Sequence, residues 1–279
     1  MQKTIKDVFS LEGYGVHKAQ PSKVVFSPAP PGTGIIFLKR DNSGAIHRIK
    51  ADYSSVYKTS FCTGISFNKE KTITIDTIEH MLSAICGFGI DNLFVEIDAD
   101  EAPIFDGSAL IYAEAFNKVS LVSQNKPIDY LLISEPVRFT HGNCYAEFLP
   151  YDGTAYEVTI EFSLLNIGRQ TTKFSMSGDD YYANIAPART FGFIKDVEEL
   201  WLRGMALGSS VDNSILLESD GKIINGNGLR FKDEFVRHKL LDAIGDTFLI
   251  GKRFKGFFRS FCGGHDLNIK AVKQLLSVN

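Results

Sequence analysis

"DEFVRHKLLDAIGD", residues 233–246, has the spacing of a single amphipathic helix. At 100° per residue, positions i, i+4 and i+8 drift by only about 80° around the axis. His238, Asp242 and Asp246 therefore form one polar stripe, with Leu241, Ile244 and Phe248 on the adjoining side. Such a stripe has two readings. It is a solvated face, in which His238 pairs with Glu234 or Asp242 for about 0.2–0.5 kcal/mol, or it presents two metal ligands one helical turn apart. The second reading requires a third ligand from elsewhere in the chain.

The stretch ITIDTIEHMLSAICGFG, residues 73–89, supplies a candidate. It reads as a strand running into a helix, with Asp76 as N-cap, Glu79 three residues later as its capping-box partner, and Gly87 as the stop. HMLSAICG in this segment echoes HKLLDAIG in the other, one residue out of register, a weak sign of internal duplication. With His80 added to His238 and Asp242, two imidazoles and one carboxylate leave a fourth position open, the pattern of a catalytic zinc site. Glu79 then stands where a general base for a water nucleophile is needed. The competing reading leaves Glu79 as a capping residue only. Neither H-E-x-x-H nor H-x-x-E-H occurs, since Asp76 occupies the first position of the latter.

The rest of the chain frames these helices. Its 279 residues, 44% of them hydrophobic, allow one large domain or two ordinary ones. A net charge of −3 without a basic tract argues against a nucleic-acid partner. The first residues lack the apolar core of a secretory signal, and apolar runs such as GIIFL at 34–38 are too short to span a bilayer, so no stable membrane insertion and a cytoplasmic location are expected. Four scattered cysteines exclude a zinc ribbon and leave His and carboxylate as the ligand types. KTIKDVFSLEGYGV, SKVVFSP, GIIFLKR and NLFVEID read as strands and DGSALIYAEAFNKV as a helix; after a break at SQNKPID (123–129) the same grammar returns. The expected fold is α+β in two related domains, 1–124 and 125–279, each a β-sheet with helices on one face. Packing helix layer to helix layer, as a β-α-α-β sandwich, buries both apolar faces and brings the two His-bearing helices together. Two more segments carry polar groups into loops: FCGGHDLN, with His265 after two glycines, and PARTFGF, with Thr190 beside Phe191. GYGVH has a G-x-G but no dinucleotide fingerprint.

Taken in order, GYGVH, TIEHMLSAICGFGIDN, EIDADEAPIFDGSA, ARTFGF, GMALGSSVDN, GLRFKDEFVRHKLLDAIGD and GGHDLN span nearly the whole chain. Together they resemble the UDP-3-O-acyl-N-acetylglucosamine deacetylases, the zinc enzymes of the committed step of lipid A synthesis. The resemblance implies hydrolysis of the acetamide of a UDP-3-O-acyl-N-acetylglucosamine, a small-molecule substrate, with zinc, or alternatively Fe²⁺, on His80, His238 and Asp242; a monomer is expected, since nothing visible in the sequence calls for a dimer. It implies Glu79 as general base, His265 as the cationic acid, Asp246 as its orienting group, Thr190 as an oxyanion donor and Lys239 as a group near the phosphates and the reacting sugar. Phe162, near the uracil, and Phe191 would touch substrate, and Ile194, Val197, Ala206 and Val211 would line a passage for the acyl chain. Cys262, Gly263 and Asp266, the Ser-Leu-Leu after Phe162, and Ser209 depart from the usual family residues. They touch recognition and leave the catalytic set whole. A non-catalytic binder of a nucleotide-sugar or acyl ligand on the same fold is the competing reading.

Overall fold

The computed structural model describes residues 1–41, 43–163 and 167–278. The first half runs β1 (Lys3–Ile5), β2 (Phe9–Tyr14), β3 (Pro21–Pro28), β4 (Ile35–Arg40), β5 (Ile46–Lys50), β6 (Val56–Lys58), β7 (Gly64–Ser66), β8 (Thr74–Ile75), α1 (Glu79–Gly87), β9 (Leu93–Ile97), α2 (Leu110–Val119) and β10 (Leu121–Ser123). The second runs β11 (Leu131–Leu132), β12 (Val137–His141), β13 (Cys144–Leu149), β14 (Thr154–Glu161), β15 (Arg169–Ser175), α3 (Tyr181–Asn184), β16 (Phe191–Phe193), α4 (Ile194–Leu202), β17 (Ile215–Leu217), α5 (Glu234–Phe248), β18 (Phe254–Phe261) and α6 (His265–Val278).

The two main sheets share one topology. The first is ordered β2-β3-β9-β4-β5 and the second β12-β13-β18-β14-β15. In each, the strand that follows the His-bearing helix inserts at the centre, antiparallel to the second strand and parallel to the third. The faint echo between HMLSAICG and HKLLDAIG thus lies on topologically equivalent helices, α1 and α5. Outside the main sheets, β10 pairs back with β1, β6 to β8 form a small antiparallel sheet, and β16 pairs in parallel with β17.

Period-2 strands turn one face inward. Val24 and Phe26 of β3, Leu93, Val95 and Ile97 of β9, and Phe254 and Phe258 of β18 are buried, while their neighbours are more exposed. Against the second sheet lie α5, on β14 and β15, and α6, on β12 and β13; α1 packs on α2 and, across the middle of the molecule, on α5. One continuous hydrophobic cluster includes residues of both halves. The helix pair at its centre is buried nearly all round: α5 hides twelve of its 15 residues, the polar stripe included. That removes the solvated-face reading of His238, Asp242 and Asp246.

Two glycines permit the close approaches on which the site depends. Where α5 crosses α1, a Cβ on Gly245 would stand 2.1 Å from the Glu79 carbonyl oxygen. Gly107 has φ +80, and a Cβ there would lie 1.9 Å from the Asn213 carbonyl oxygen. The Gly107 carbonyl in turn accepts a hydrogen bond from Thr190 N at 2.8 Å.

The expected capping box is absent. The helix begins only at Glu79, with Ile78 at the N-cap and no side-chain cap. Asp76 is engaged elsewhere, by Lys58 Nζ at 2.7 Å and the Tyr57 hydroxyl at 2.5 Å. Long-range partners outcompeted the local cap, and Glu79 is left free of that role.

Candidate metal centre and active site

His80 starts from the first turn of α1, and His238 and Asp242 lie one turn apart on α5; all three are buried. Their ligand atoms lie within 4.8 Å of one another. Asp242 Oδ1 is 3.3 Å from His238 Nε2 and 3.6 Å from His80 Nε2. Ligands about 2.0–2.1 Å from a tetrahedral ion are separated by roughly 3.3–3.4 Å, so both edges suit one shared cation. Two of the three are held by their remaining atoms, whereas His80 Nδ1 is buried without a partner. His238 Nδ1 stands 3.1 Å from the Ala188 carbonyl, so the proton sits on that nitrogen and the Nε2 lone pair faces the site. Asp242 Oδ2 accepts from Lys239 Nζ at 2.9 Å, whereas Oδ1 is buried without a hydrogen-bond partner. An orphaned carboxylate oxygen aimed between two imidazoles is what a cation would satisfy. Electrostatics agree. Burial pushes the His238 imidazole down to about 3, which keeps it neutral as a ligand must be. Asp242, although burial opposes its charge, is held well below the usual carboxylate range by His238 and Lys239.

Beside these candidate ligands stand Glu79 and His265, a candidate acid–base pair. Glu79 is buried, with Oε2 accepting from Thr63 N at 3.0 Å and Oε1 lying 3.8 Å from His265 Nε2. Burial raises the Glu79 carboxyl, against the pull of His265 and His80, and so makes it a better proton acceptor than an exposed glutamate. His265 is the first residue of α6 rather than part of a free glycine turn. Burial disfavours its charged form, but the carboxylates of Asp246 and Glu79 outweigh this and raise it to about 10. Asp246, fully buried, meets His265 Nδ1 at 3.0 Å and accepts from Asn268 Nδ2 at 2.9 Å on the same oxygen, while its other oxygen accepts from Thr63 Oγ1 at 2.6 Å. The site thus holds an electron-rich base and a proton-bearing imidazole next to a cation cradle, a combination suited to attack of water on an amide.

A cavity of about 140 Å³ opens onto Glu79 and His80, with Thr190, Phe191, Val197 and Ala206 among its walls. A larger one, about 410 Å³, lies beside Gly87 and Phe248 at the other end of the helix pair and lacks any of the catalytic candidates. Ile194 and Val211, expected on the acyl wall with Val197 and Ala206, do not line the 140 Å³ cavity. Val211 is 48% exposed, on a turn whose carbonyl is held by Asn225 Nδ2. Ile194, the first residue of α4, is half-buried beside that cavity's wall rather than in it. Phe162 stands behind Phe191 and Phe193, 6.0 and 6.3 Å between ring centroids, rather than in the cavity. Leu164 and Leu165, in the departure that follows it, lie outside the described residues. Lys239 Nζ, besides holding Asp242, sits 5.7 Å over the Phe191 ring.

Four further residues belong to this neighbourhood. His17 of GYGVH lines the cavity, is buried, and has neither ring nitrogen hydrogen-bonded. Its backbone amide is fixed by the buried Glu101 carboxylate at 2.9 Å. Thr63 and Asn268 grip the acid–base pair as described. Arg189 is also structural to the site: its side chain and amide both bond to buried Glu234 of α5, which seats the 188–191 segment against His238.

Known proteins match this chain along its length. The family model described as UDP-3-O-acyl N-acetylglycosamine deacetylase (LpxC) covers residues 2–277. The UDP-3-O-acyl-N-acetylglucosamine deacetylases of Brucella ovis, Brucella abortus (strain S19) and Brucella melitensis biotype 2 are each 45% identical over 276 residues, 99% of this chain and 95% of theirs. With the family model matched along residues 2–277, and with relatives this similar over all but a few residues, the chain belongs to the UDP-3-O-acyl N-acetylglycosamine deacetylase family.

Proposed function

We propose that this chain is a metal-dependent amidohydrolase that removes the acetyl group from UDP-3-O-acyl-N-acetylglucosamine, releasing acetate and the free amine. One observation carries the reading: three ligand atoms from the two halves converge within 4.8 Å, beside Glu79 Oε1 and His265 Nε2 at 3.8 Å. The two halves, 1–124 and 125–279, each bring what the other lacks.

His80, His238 and Asp242 would hold the ion. Two imidazoles and one carboxylate favour zinc, with Fe²⁺ as the competitor, and the cation would supply Lewis acidity to the amide carbonyl and to water. Glu79 takes a proton from the attacking water, its Oε2 held by Thr63 so that Oε1 faces the reaction. Thr190, on the cavity wall, is placed to donate its hydroxyl to the carbonyl oxygen as negative charge develops there. His265, kept cationic by Asp246, gives its proton to the departing nitrogen, because an unprotonated amine anion leaves poorly. Lys239 holds Asp242 in its ligating orientation and offers cationic charge toward the sugar phosphates. Val197 and Ala206 give the cavity an apolar side for the acyl chain. All of these groups come from one chain, in keeping with a monomer, and the proposed place of action is the cytoplasm. Among the described residues no helix is long and apolar enough to cross a membrane.

The test is acetate release from the acylated UDP-sugar. Activity that is abolished by a chelator and restored by stoichiometric Zn²⁺ supports the reading, and restoration by Fe²⁺ alone would reassign the metal. Tight substrate binding without acetate release would instead identify a non-catalytic binder.

A further inference from the structure

Thr63 precedes β7 and is fully buried. It makes three contacts that no neighbour duplicates. Its amide donates to Glu79 Oε2 at 3.0 Å, its hydroxyl donates to Asp246 Oδ1 at 2.6 Å, and its carbonyl accepts from Ile78 N at 3.1 Å, immediately ahead of α1. We propose that Thr63 is a positioning residue, a cross-brace that holds the general base in the first half and the acid-orienting carboxylate in the second in fixed relation to one another. The inference rests on the amide-hydrolysis reading above and adds a residue to it.

The argument is geometric. A carboxylate end group turns easily, since its terminal torsion is broad and two-fold. Tying Glu79 Oε2 to the Thr63 amide leaves Oε1 as the oxygen that faces His265. On Asp246, Oδ2 receives both His265 Nδ1 and Asn268 Nδ2, whereas Thr63 is the donor to Oδ1 among the described residues. With both oxygens held, the carboxylate cannot rotate, and the plane of the His265 ring is set. An ionised carboxylate only accepts, so the Thr63 hydroxyl proton is committed to it. The carbonyl bond to Ile78 ties the brace to the start of α1, so Glu79, Asp246 and the helix entry move together. Base and acid act at different atoms of one tetrahedral centre, and a mismatch of about 1 Å between such groups costs on the order of 10²-fold in rate.

Thr63→Val keeps the volume and the amide but removes the hydroxyl; Thr63→Ser restores the hydroxyl without the methyl group. With the metal-loaded full chain, Thr63→Val is expected to lower kcat for acetate release by about 10–100-fold while KM and bound metal stay within about twofold, and Thr63→Ser to remain within about threefold of the parent. The proton resonance of the His265 Nδ1–H is expected to move in the valine variant and to return in the serine variant, a readout independent of turnover. Should the valine variant not fold, Thr63→Ala is judged by the same criteria. A valine variant within threefold of the parent, or serine and valine variants that fall together, overturns the brace while leaving the hydrolase reading intact. A parent chain that releases no acetate removes both.

Discussion

Replacing Gly245 by alanine puts a methyl group at the crossing of α5 and α1. The new Cβ would lie 2.1 Å from Glu79 O, 2.9 Å from Glu79 C and 3.1 Å from Glu79 Cα, all backbone atoms that cannot swing aside. Restoring a contact of about 3.4 Å requires the two helices to part by roughly 1 Å. The spacing between His80 Nε2 and Asp242 Oδ1, 3.6 Å in the structure, would then widen to about 4.6 Å, well past the edge of roughly 3.4 Å between two ligands of one tetrahedral ion. The cation would have to release a ligand from one helix or the other. Loss of an outer partner already weakens metal sites by about 10–100-fold, so displacement of a ligand should weaken binding by more than about 10-fold. Stability has two opposed contributions: alanine is the better helix former by about 1 kcal/mol, and overpacking costs about 1–3 kcal/mol. The expected net is a loss of about 0–2 kcal/mol. Metal titration with a competing chelator, run alongside thermal unfolding, measures both. A Gly245→Ala variant that binds metal as tightly as the parent and melts at the same temperature or higher would refute the crossing as the device that sets ligand spacing.

Glu79→Gln should retain metal and substrate affinity but lose at least about 10²-fold in kcat; a rate near that of the parent would remove Glu79 from the role of base. His265 titrates in the folded chain near 10, above its ordinary value of about 6.5. The stability gained from its pairing with Asp246 is therefore complete below about pH 6.5 and is lost as pH rises through about 10. The same deprotonation should end catalysis on the alkaline side, at a pH lowered by the charge of a nearby cation. Asp246→Asn should move that limb further down, as read from kcat against pH, and an unmoved limb would count against His265 as the acid. Arg189→Ala leaves the Glu234 carboxylate, 0% exposed, without its ion-pair partner and should cost about 3–5 kcal/mol in denaturant unfolding; a loss under about 1 kcal/mol would mean that the backbone amides of Arg189 and Arg230 suffice to hold Glu234.

The polar stripe of α5 was legible in the sequence as geometry, but not as environment. Helical spacing gave the alignment of His238, Asp242 and Asp246, whereas their burial depends on α1, supplied from the other half. The layered arrangement followed from strand alternation and helix periodicity, and the topological repeat is far clearer in the strand order than in the one faint sequence echo. Local rules failed at Asp76, where Lys58 and Tyr57, well upstream, claimed a side chain that looked like a cap. His17 and Thr63 sit in connecting segments, outside any helix or strand, and their importance comes from contacts with residues 84 and 183 positions away. No spacing pattern could have found them. Val211 and Ile194 were grouped with Val197 and Ala206 because the resemblance assigns their common stretch to the acyl passage, yet apolar character alone does not say which way a side chain turns, on the turn at Val211 or at the first residue of α4.

Because the proposed metal ligands run from residue 80 to residue 242 and the proposed acid follows at 265, a nascent chain is not expected to acquire hydrolytic power gradually. The first half emerges with Glu79 and His80 on a helix whose partner has yet to be translated, and it can neither retain an ion nor split an amide. Competence arrives in one late event, when α5 docks and α6 closes over it, so that enzyme cut anywhere between those points should be inert rather than partly active.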